Sequence, residues 1–117
     1  MTRWTFRLPL PPNTNHMYHH IRGGSKVLTA EARQFRKDCA VLLPRDFRPA
    51  LAHRYSVMVW LTFPSDAWDI DGCLKALLDG CFGSRLDHRV CSLHAWKLIN
   101  KLDPHCTVRV AEIGGAP

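Results

Sequence analysis

The sequence has no long hydrophobic run, no closely spaced cysteine pair, and fewer acidic than basic residues. Its apolar stretches fall well short of the roughly 18 residues of a membrane-spanning helix, so neither a transmembrane segment nor a membrane partner is predicted. No C-x-x-C pair occurs among the five cysteines, which argues against a zinc knuckle or a disulfide framework. Reduced, buried thiols and the lack of a signal-peptide pattern together predict a cytoplasmic protein.

The shortage of acids leaves the chain basic, with 16 Lys and Arg against 10 Asp and Glu and a formal charge of +6. A basic balance at this size favours a polyanionic partner, and nucleic acid is the first hypothesis, rather than a small-molecule substrate. On composition alone, the alternative that the charge serves only solubility stays open. With 117 residues, 46% of them hydrophobic, the chain suffices for one domain, residues 1–117, with one core.

Hydrophobic periodicity predicts four strands and two helices. In chain order they are a strand at 3–8, a helix that runs to Leu43 with Thr29 as its N-cap, a central strand at 55–63, a helix at about 70–81, and strands at 90–99 and 106–113. This β-α-β-α-β-β order predicts an α/β chain with a mixed, α+β-like sheet in a single compact domain. Residues from about 13 to 28 are predicted to form a flexible basic loop, and residues 114–117 a frayed tail.

Three acids, Asp66, Asp69 and Asp71, lie within six residues at the start of the second helix, and Lys75 follows one turn later. A capping Asp and an Asp71–Lys75 pair at i, i+4 would be ordinary structure. Only one acid can cap, however, and the others repel it. Mg²⁺ binds through a few carboxylates and would offset that repulsion, and a nearby lysine would stabilise charge on a phosphate. Asp87, just before a predicted strand, is the candidate for a further acid.

Three segments combine into a recognisable set of motifs. "DIDGCLKALLDG" is similar to the pattern D-x-D-N-x-x-K-x-x-x-D-A, and "RLDHRVCSLHAWK" to a D-D-x-Q-V strand with a lysine downstream. The beginning of the chain, "LPLPPNTNHMYHHIRGG…LTAEARQFR", is similar to a third pattern, in which P-P-S-x-N-x-x-Y is followed by a loop and the start of a helix. All three patterns are those of the RusA family of Holliday junction resolvases, in the same order, and the resemblance covers essentially the whole chain.

The resemblance implies a homodimeric, Mg²⁺-dependent endodeoxyribonuclease of bacterial or phage origin, with Mn²⁺ as a substitute metal. Such an enzyme resolves four-way DNA junctions by paired symmetric cuts in recombination and repair. Asp69, Asp71 and Asp87 match the family's metal-binding catalytic acids, and Lys75 matches its catalytic lysine. A homodimer also fits the approximate two-fold symmetry of the substrate, because two cuts need two sites related by the same operator.

The predicted DNA contacts lie mainly in the basic loop, whose side chains suit phosphate binding. They are Arg7, Asn15, Tyr18, His20, Arg22 and Lys26. Trp60 and Trp96, on predicted strands, are expected in the core or at a dimer interface, whereas Trp68 is expected to flank the active site.

Two departures from the family pattern matter for the chemistry. Leu86 replaces the first acid of the Asp-Asp pair, and Gly72 stands where the family has Asn. A second hypothesis is therefore a catalytically impaired, junction-binding protein of prophage origin. A third, an RNA-binding protein, has no motif of the common RNA-binding folds to support it.

Overall fold

Six strands and two α-helices make up most of the computed structural model, which describes residues 2–20, 23–24 and 26–115. The elements are β1 (Arg3–Leu8), β2 (Tyr18–His20), β3 (Lys26–Leu28), α1 (Ala30–Leu42), β4 (His53–Phe63), α2 (Leu74–Leu86), β5 (Val90–Ile99) and β6 (His105–Gly115). Short 3₁₀ turns occur at Thr14–His16, Ile70–Cys73 and Asp87–Arg89. None of the described helices is long and apolar enough to cross a membrane.

The main sheet has four strands in the order β1-β6-β4-β5. β4 lies inside the sheet, parallel to β5 and antiparallel to β6, and α2 lies in the connection between the two parallel strands. A parallel pair needs such a crossover because its strands run in the same direction. The predicted mixed sheet with two helices in a single compact domain is therefore confirmed.

One face of the sheet forms the core with the helices. Alternate residues of β4, from Tyr55 to Phe63, are buried, as the period of a strand requires. α1 contributes Phe35 and Cys39 to the same cluster, and α2 contributes Leu77. All five cysteines are free, and four of them are buried, which agrees with the predicted thiols; Cys91 is the exposed exception.

The predicted loop over residues 13 to 28 needs correction, because the structure places a 3₁₀ turn and a two-stranded ladder there. Tyr18 pairs with Leu28 in the antiparallel β2–β3 hairpin. Met17 is buried beside Ala32 of α1 and Ala76 of α2, which anchors the hairpin on the helices. Strands of three residues are too short to show a period, so only these tertiary contacts reveal them.

Two predicted ends also differ. β6 continues to Gly115, which pairs with His53, so the fraying predicted for residues 114 and 115 is replaced by strand, and residues 116–117 lie outside the described part. α2 extends to Leu86 rather than to residue 81, with a kink at Gly83, whose φ of 72° is in the left-handed region. Glycine adopts that region without steric cost, which lets the chain turn toward β5.

Candidate active site

Asp69 and Asp71 lie on the turn that leads from β4 into α2, and both are exposed. Asp69 occupies the N-cap position of the 3₁₀ turn, but its side chain makes no capping hydrogen bond. No hydrogen bond or ion pair to another described residue engages either carboxylate. Capping therefore does not explain these two acids, and the ordinary structural role considered for them is absent.

Asp66, by contrast, has a structural partner. Lys97 of β5 places its Nζ 3.0 Å from Asp66 Oδ1 and donates a hydrogen bond to the Asp66 carbonyl at 2.9 Å. This contact ties the turn after β4 to the neighbouring strand. The downstream lysine of the motif thus neutralises one of the three clustered acids and leaves the other two unpaired.

A cavity of about 220 Å³ opens beside the acidic turn and is lined by Asn13, Ala67, Trp68 and Asp69. The Trp68 ring stacks on Phe63, the last residue of β4, with centroids 5.5 Å apart and planes 24° apart. This packing holds the indole as one wall of the cavity. The cavity is therefore a concave space with a carboxylate, a carboxamide and an aromatic ring on its walls.

The 3₁₀ turn that begins at Thr14 packs directly on Gly72. A Cβ atom at position 72 would lie 2.5 Å from Asn13 Nδ2, so only glycine fits without displacing that side chain. Thr14 Oγ1 donates a hydrogen bond to the Gly72 carbonyl at 3.0 Å, and Asn13 Oδ1 accepts one from the Asn15 amide at 2.9 Å. The site thus has a carboxamide beside its acids, from residue 13 rather than 72.

Lys75 pairs with Asp79. The Asp71–Lys75 pair, which the sequence offered as an ordinary structural alternative, does not form. The Lys75 Nζ lies 3.5 Å from Asp79 Oδ2, and the lysine side chain is 56% exposed while that of Asp79 is 4% exposed. Asp79 Oδ1 is buried without a hydrogen-bond partner. A buried acid therefore holds the ammonium group, a role that the i, i+4 spacing of these residues permits but does not single out.

Asp87 lies at the opposite end of the sheet from Asp69 and Asp71. It precedes β5, whose first residue, Val90, pairs with Tyr55 near the start of β4. The acidic turn follows the other end of β4, where Lys97 pairs with Leu61. Seven residues separate Val90 from Lys97, a span of about 23 Å in a strand. Within one chain, the predicted third acid is thus not brought to the other two.

The predicted DNA contacts divide into three groups. Tyr18, His20 and Lys26 come together in the β2–β3 hairpin, where Lys26 Nζ lies 5.9 Å from the Tyr18 ring centroid. Asn15 is exposed on the 3₁₀ turn next to the acidic turn. Arg7, on β1, forms a 2.6 Å contact with Asp103 of the β5–β6 turn. The predicted contact at Arg22 lies outside the described residues.

Asp69 and Asp71 have the chemistry of a magnesium site. Mg²⁺ prefers oxygen ligands, binds through one or two carboxylates and keeps several waters, for which the adjoining cavity has room. Two unpaired carboxylates fit this coordination. Across the described part of the chain, no group of three His, Cys, Asp or Glu side chains comes close enough to hold a metal ion. The described part of the chain therefore supplies two protein ligands at this turn, Asp69 and Asp71.

Comparison with known proteins adds no relative to this picture. No protein-family model matches the chain, and no curated protein matches it either. Any function therefore has to be argued from the motifs and from the geometry of the acidic turn.

Proposed function

We propose that this protein is a Mg²⁺-dependent, structure-specific endodeoxyribonuclease that resolves four-way DNA junctions, as its resemblance to the RusA family implies. The observation that supports the proposal is the pair of exposed carboxylates, Asp69 and Asp71, which have no partner among the described residues; Asp69 also lines a cavity. Two neighbouring carboxylates repel each other, and a divalent cation bound to both would offset that repulsion. Lys75 stands one helical turn further on.

In the proposed reaction, the residues around the acidic turn have separate roles. Asp69 and Asp71 would hold the metal, either Mg²⁺ or Mn²⁺, which when bound supplies Lewis-acid activation of a phosphate and of water. Asp79 positions the Lys75 ammonium, whose positive charge stabilises the negative charge that builds on the phosphate during cleavage. Trp68 closes one side of the cavity.

A homodimer would complete the site. β5 is an edge strand of ten residues, with Leu98 and Ile99 about half exposed near its end. Such an edge readily pairs with a further strand. If two copies pair antiparallel through β5, the start of each strand meets the end of the other. Asp87 of the second copy then approaches Asp69 and Asp71 of the first, which supplies the third acid.

The binding-only hypothesis has an observation in its favour, because Leu86 leaves the end of α2 without the first acid of the family's pair. A junction-binding protein of prophage origin would keep the basic hairpin and lose cutting. The nuclease is the hypothesis that gives Asp69 and Asp71 a role, because two neighbouring carboxylates without a described partner are suited to hold a divalent cation. In either case we place the protein in the cytoplasm.

The test is to incubate a labelled four-way junction with the protein in Mg²⁺, in Mn²⁺ and in EDTA, beside Asp71→Asn. We expect paired symmetric nicks that require the metal, and for the variant unchanged junction affinity with no nicks. Asp66→Asn is the matched control, because that acid pairs with Lys97 and should leave cutting intact. Tight junction binding without cutting in any metal would refute the nuclease and leave the binding protein.

A further inference from the structure

No helix of the described part of the chain packs on the second face of the main sheet. Strand register sets Arg7, Thr107, Trp60 and Trp96 in one row across all four strands, because directly paired residues point to the same side. None of these four residues is buried. We call this surface the open face and define it by Arg7, Met58, Trp60, His94, Trp96 and Arg109.

Flat side chains cover the middle of the open face. The Trp60 and Trp96 rings stack with centroids 5.1 Å apart and planes 12° apart. The His94 ring lies 6.3 Å from that of Trp96 at an angle of 21°, and the Arg109 guanidinium carbon lies 5.6 Å from the Trp60 ring centroid. Trp96 is 41% exposed. Neither indole is therefore buried in the core of the chain; the other expectation for them, a dimer interface, stays a prediction.

The charge on this surface is of one sign. Arg7 and Arg109 belong to it, whereas Asp and Glu are absent from the six residues that define it. The acid at its border, Asp103, is already paired with Arg7 at 2.6 Å. Exposed aromatic rings beside arginines are the combination that binds single-stranded nucleic acid, since every base has a face that stacks and every nucleotide has a phosphate.

We propose that the open face binds single-stranded DNA, with bases stacking on Trp96 and Trp60 and phosphates contacting Arg109. That the ligand is DNA rather than RNA rests on the proposed function. That this face binds a single strand by stacking is argued from the face itself. The open face is separate from the acidic turn, because α2 and the cavity lie on the covered side of the sheet. It would hold unpaired nucleotides next to the duplex arms of a branched substrate.

A second copy of the chain fits this surface less well. Two open faces packed together would bury the Arg109 guanidinium groups of both copies, for which the residues of this face supply no acid, and burying an unpaired charge costs free energy. The dimer proposed above uses the edge of β5 and leaves the open face uncovered. It would also join the two open faces into one continuous surface, with both Trp96 rings near the dimer axis.

The test is fluorescence anisotropy of a labelled oligothymidine of about 15 nucleotides, a length within the range of single-strand binding sites. EDTA and an Asp71→Asn background prevent cleavage of the oligonucleotide. The binding measurement therefore does not depend on whether the protein is a nuclease. We expect Trp96→Ala to weaken binding at least about fivefold. Arg109→Ala should reduce the slope of log affinity against log salt by about 0.7, the value for one phosphate of a single strand.

Three variants control for folding and for general charge. Trp96→Phe keeps an aromatic ring and should retain most of the affinity. Trp4→Phe changes a ring that packs on Phe47 on the covered side, and Arg36→Ala removes an exposed cation of α1; both should bind as the parent protein does. Circular dichroism establishes that each variant is folded.

Any of three results would overturn the proposal. The first is that Trp96→Ala and Arg109→Ala bind oligothymidine as tightly as the controls do. The second is that an oligouridine of the same length binds more tightly than oligothymidine, which would identify RNA as the ligand. The third is that Trp96→Ala turns a dimer into a monomer in sedimentation, which would show that a second copy covers the open face.

Discussion

At the scale of single residues, the approach of Asn13 to Gly72 is the tightest constraint on the acidic turn. We expect Gly72→Ala to lower the free energy of unfolding by about 1 kcal/mol, because the added methyl group displaces the Asn13 carboxamide from its hydrogen bond to the Asn15 amide. Urea unfolding measures the change. In an Asn13→Ala background the same substitution should cost nothing, since no side chain remains to be displaced. Equal costs in both backgrounds would show that Asn13 is not the obstacle.

The buried thiols predict a dependence of stability on alkaline pH. Burial raises the pKa of Cys39 and of Cys106 from 9.0 to about 12 and that of Cys73 to about 11. Their pKa values are higher in the folded than in the unfolded state, so their contribution to stability is complete below pH 9.0 and is lost as the pH rises toward the folded-state values. We expect urea unfolding to show a falling free energy over this range.

A variant separates this effect from the titration of lysines and tyrosines. Cys106→Ala should reduce the fall by about 1.4 kcal/mol per pH unit, which is the contribution of one proton. Cys91→Ala is the matched control, because that cysteine is exposed, and it should leave the slope unchanged. A slope for Cys106→Ala equal to that of the parent protein would contradict the assignment.

At the scale of elements, the β2–β3 hairpin follows the 3₁₀ turn that packs on Gly72, and it carries three of the predicted DNA contacts. We expect Lys26→Ala to weaken binding of a four-way junction and to reduce its log–log salt slope by about 0.9, the value for one phosphate of duplex DNA. Filter binding in EDTA at several salt concentrations measures both quantities. Lys37→Ala, which removes an exposed cation of α1, is the control and should change neither. An unchanged slope for Lys26→Ala would remove the hairpin from the DNA interface.

At the scale of the whole molecule, the separation of Asp87 from Asp69 and Asp71 leads to a complementation experiment. Asp71→Asn and Asp87→Asn should each be inactive on junctions. Mixing them with subunit exchange should restore cutting at one site per dimer, because one of the two composite sites then has every acid. The readout is a single nick per junction in Mg²⁺, where the parent protein makes two.

The outcome distinguishes the two ways of building the site. If the acids of one chain formed a site by themselves, each subunit of the mixed dimer would contain a defective site and no cutting would return. Mixing Asp69→Asn with Asp71→Asn is the control, since both changes fall in the same half of a composite site, and no activity should return in either case.

The local sequence determined most of the secondary structure. The hydrophobic patterns of β1 and β5 predicted strands with the bounds that the structure has. Thr29 was predicted as the N-cap of α1, and its Oγ1 accepts a hydrogen bond from the Ala32 amide at 3.1 Å. These features depend on side chains a few residues apart, so periodicity and capping rules suffice to find them.

Only the tertiary structure decided what the candidate site contains. The sequence brought Asp69, Asp71 and Lys75 close together along the chain, but it did not indicate that Asp79 would hold the lysine or that Asn13 would cover Gly72. It also placed Asp87 in the same site, whereas the parallel crossover through α2 moves that residue to the far end of the sheet. Contacts between residues distant in the chain follow from how strands and helices pack, and a pattern read along one segment does not contain them.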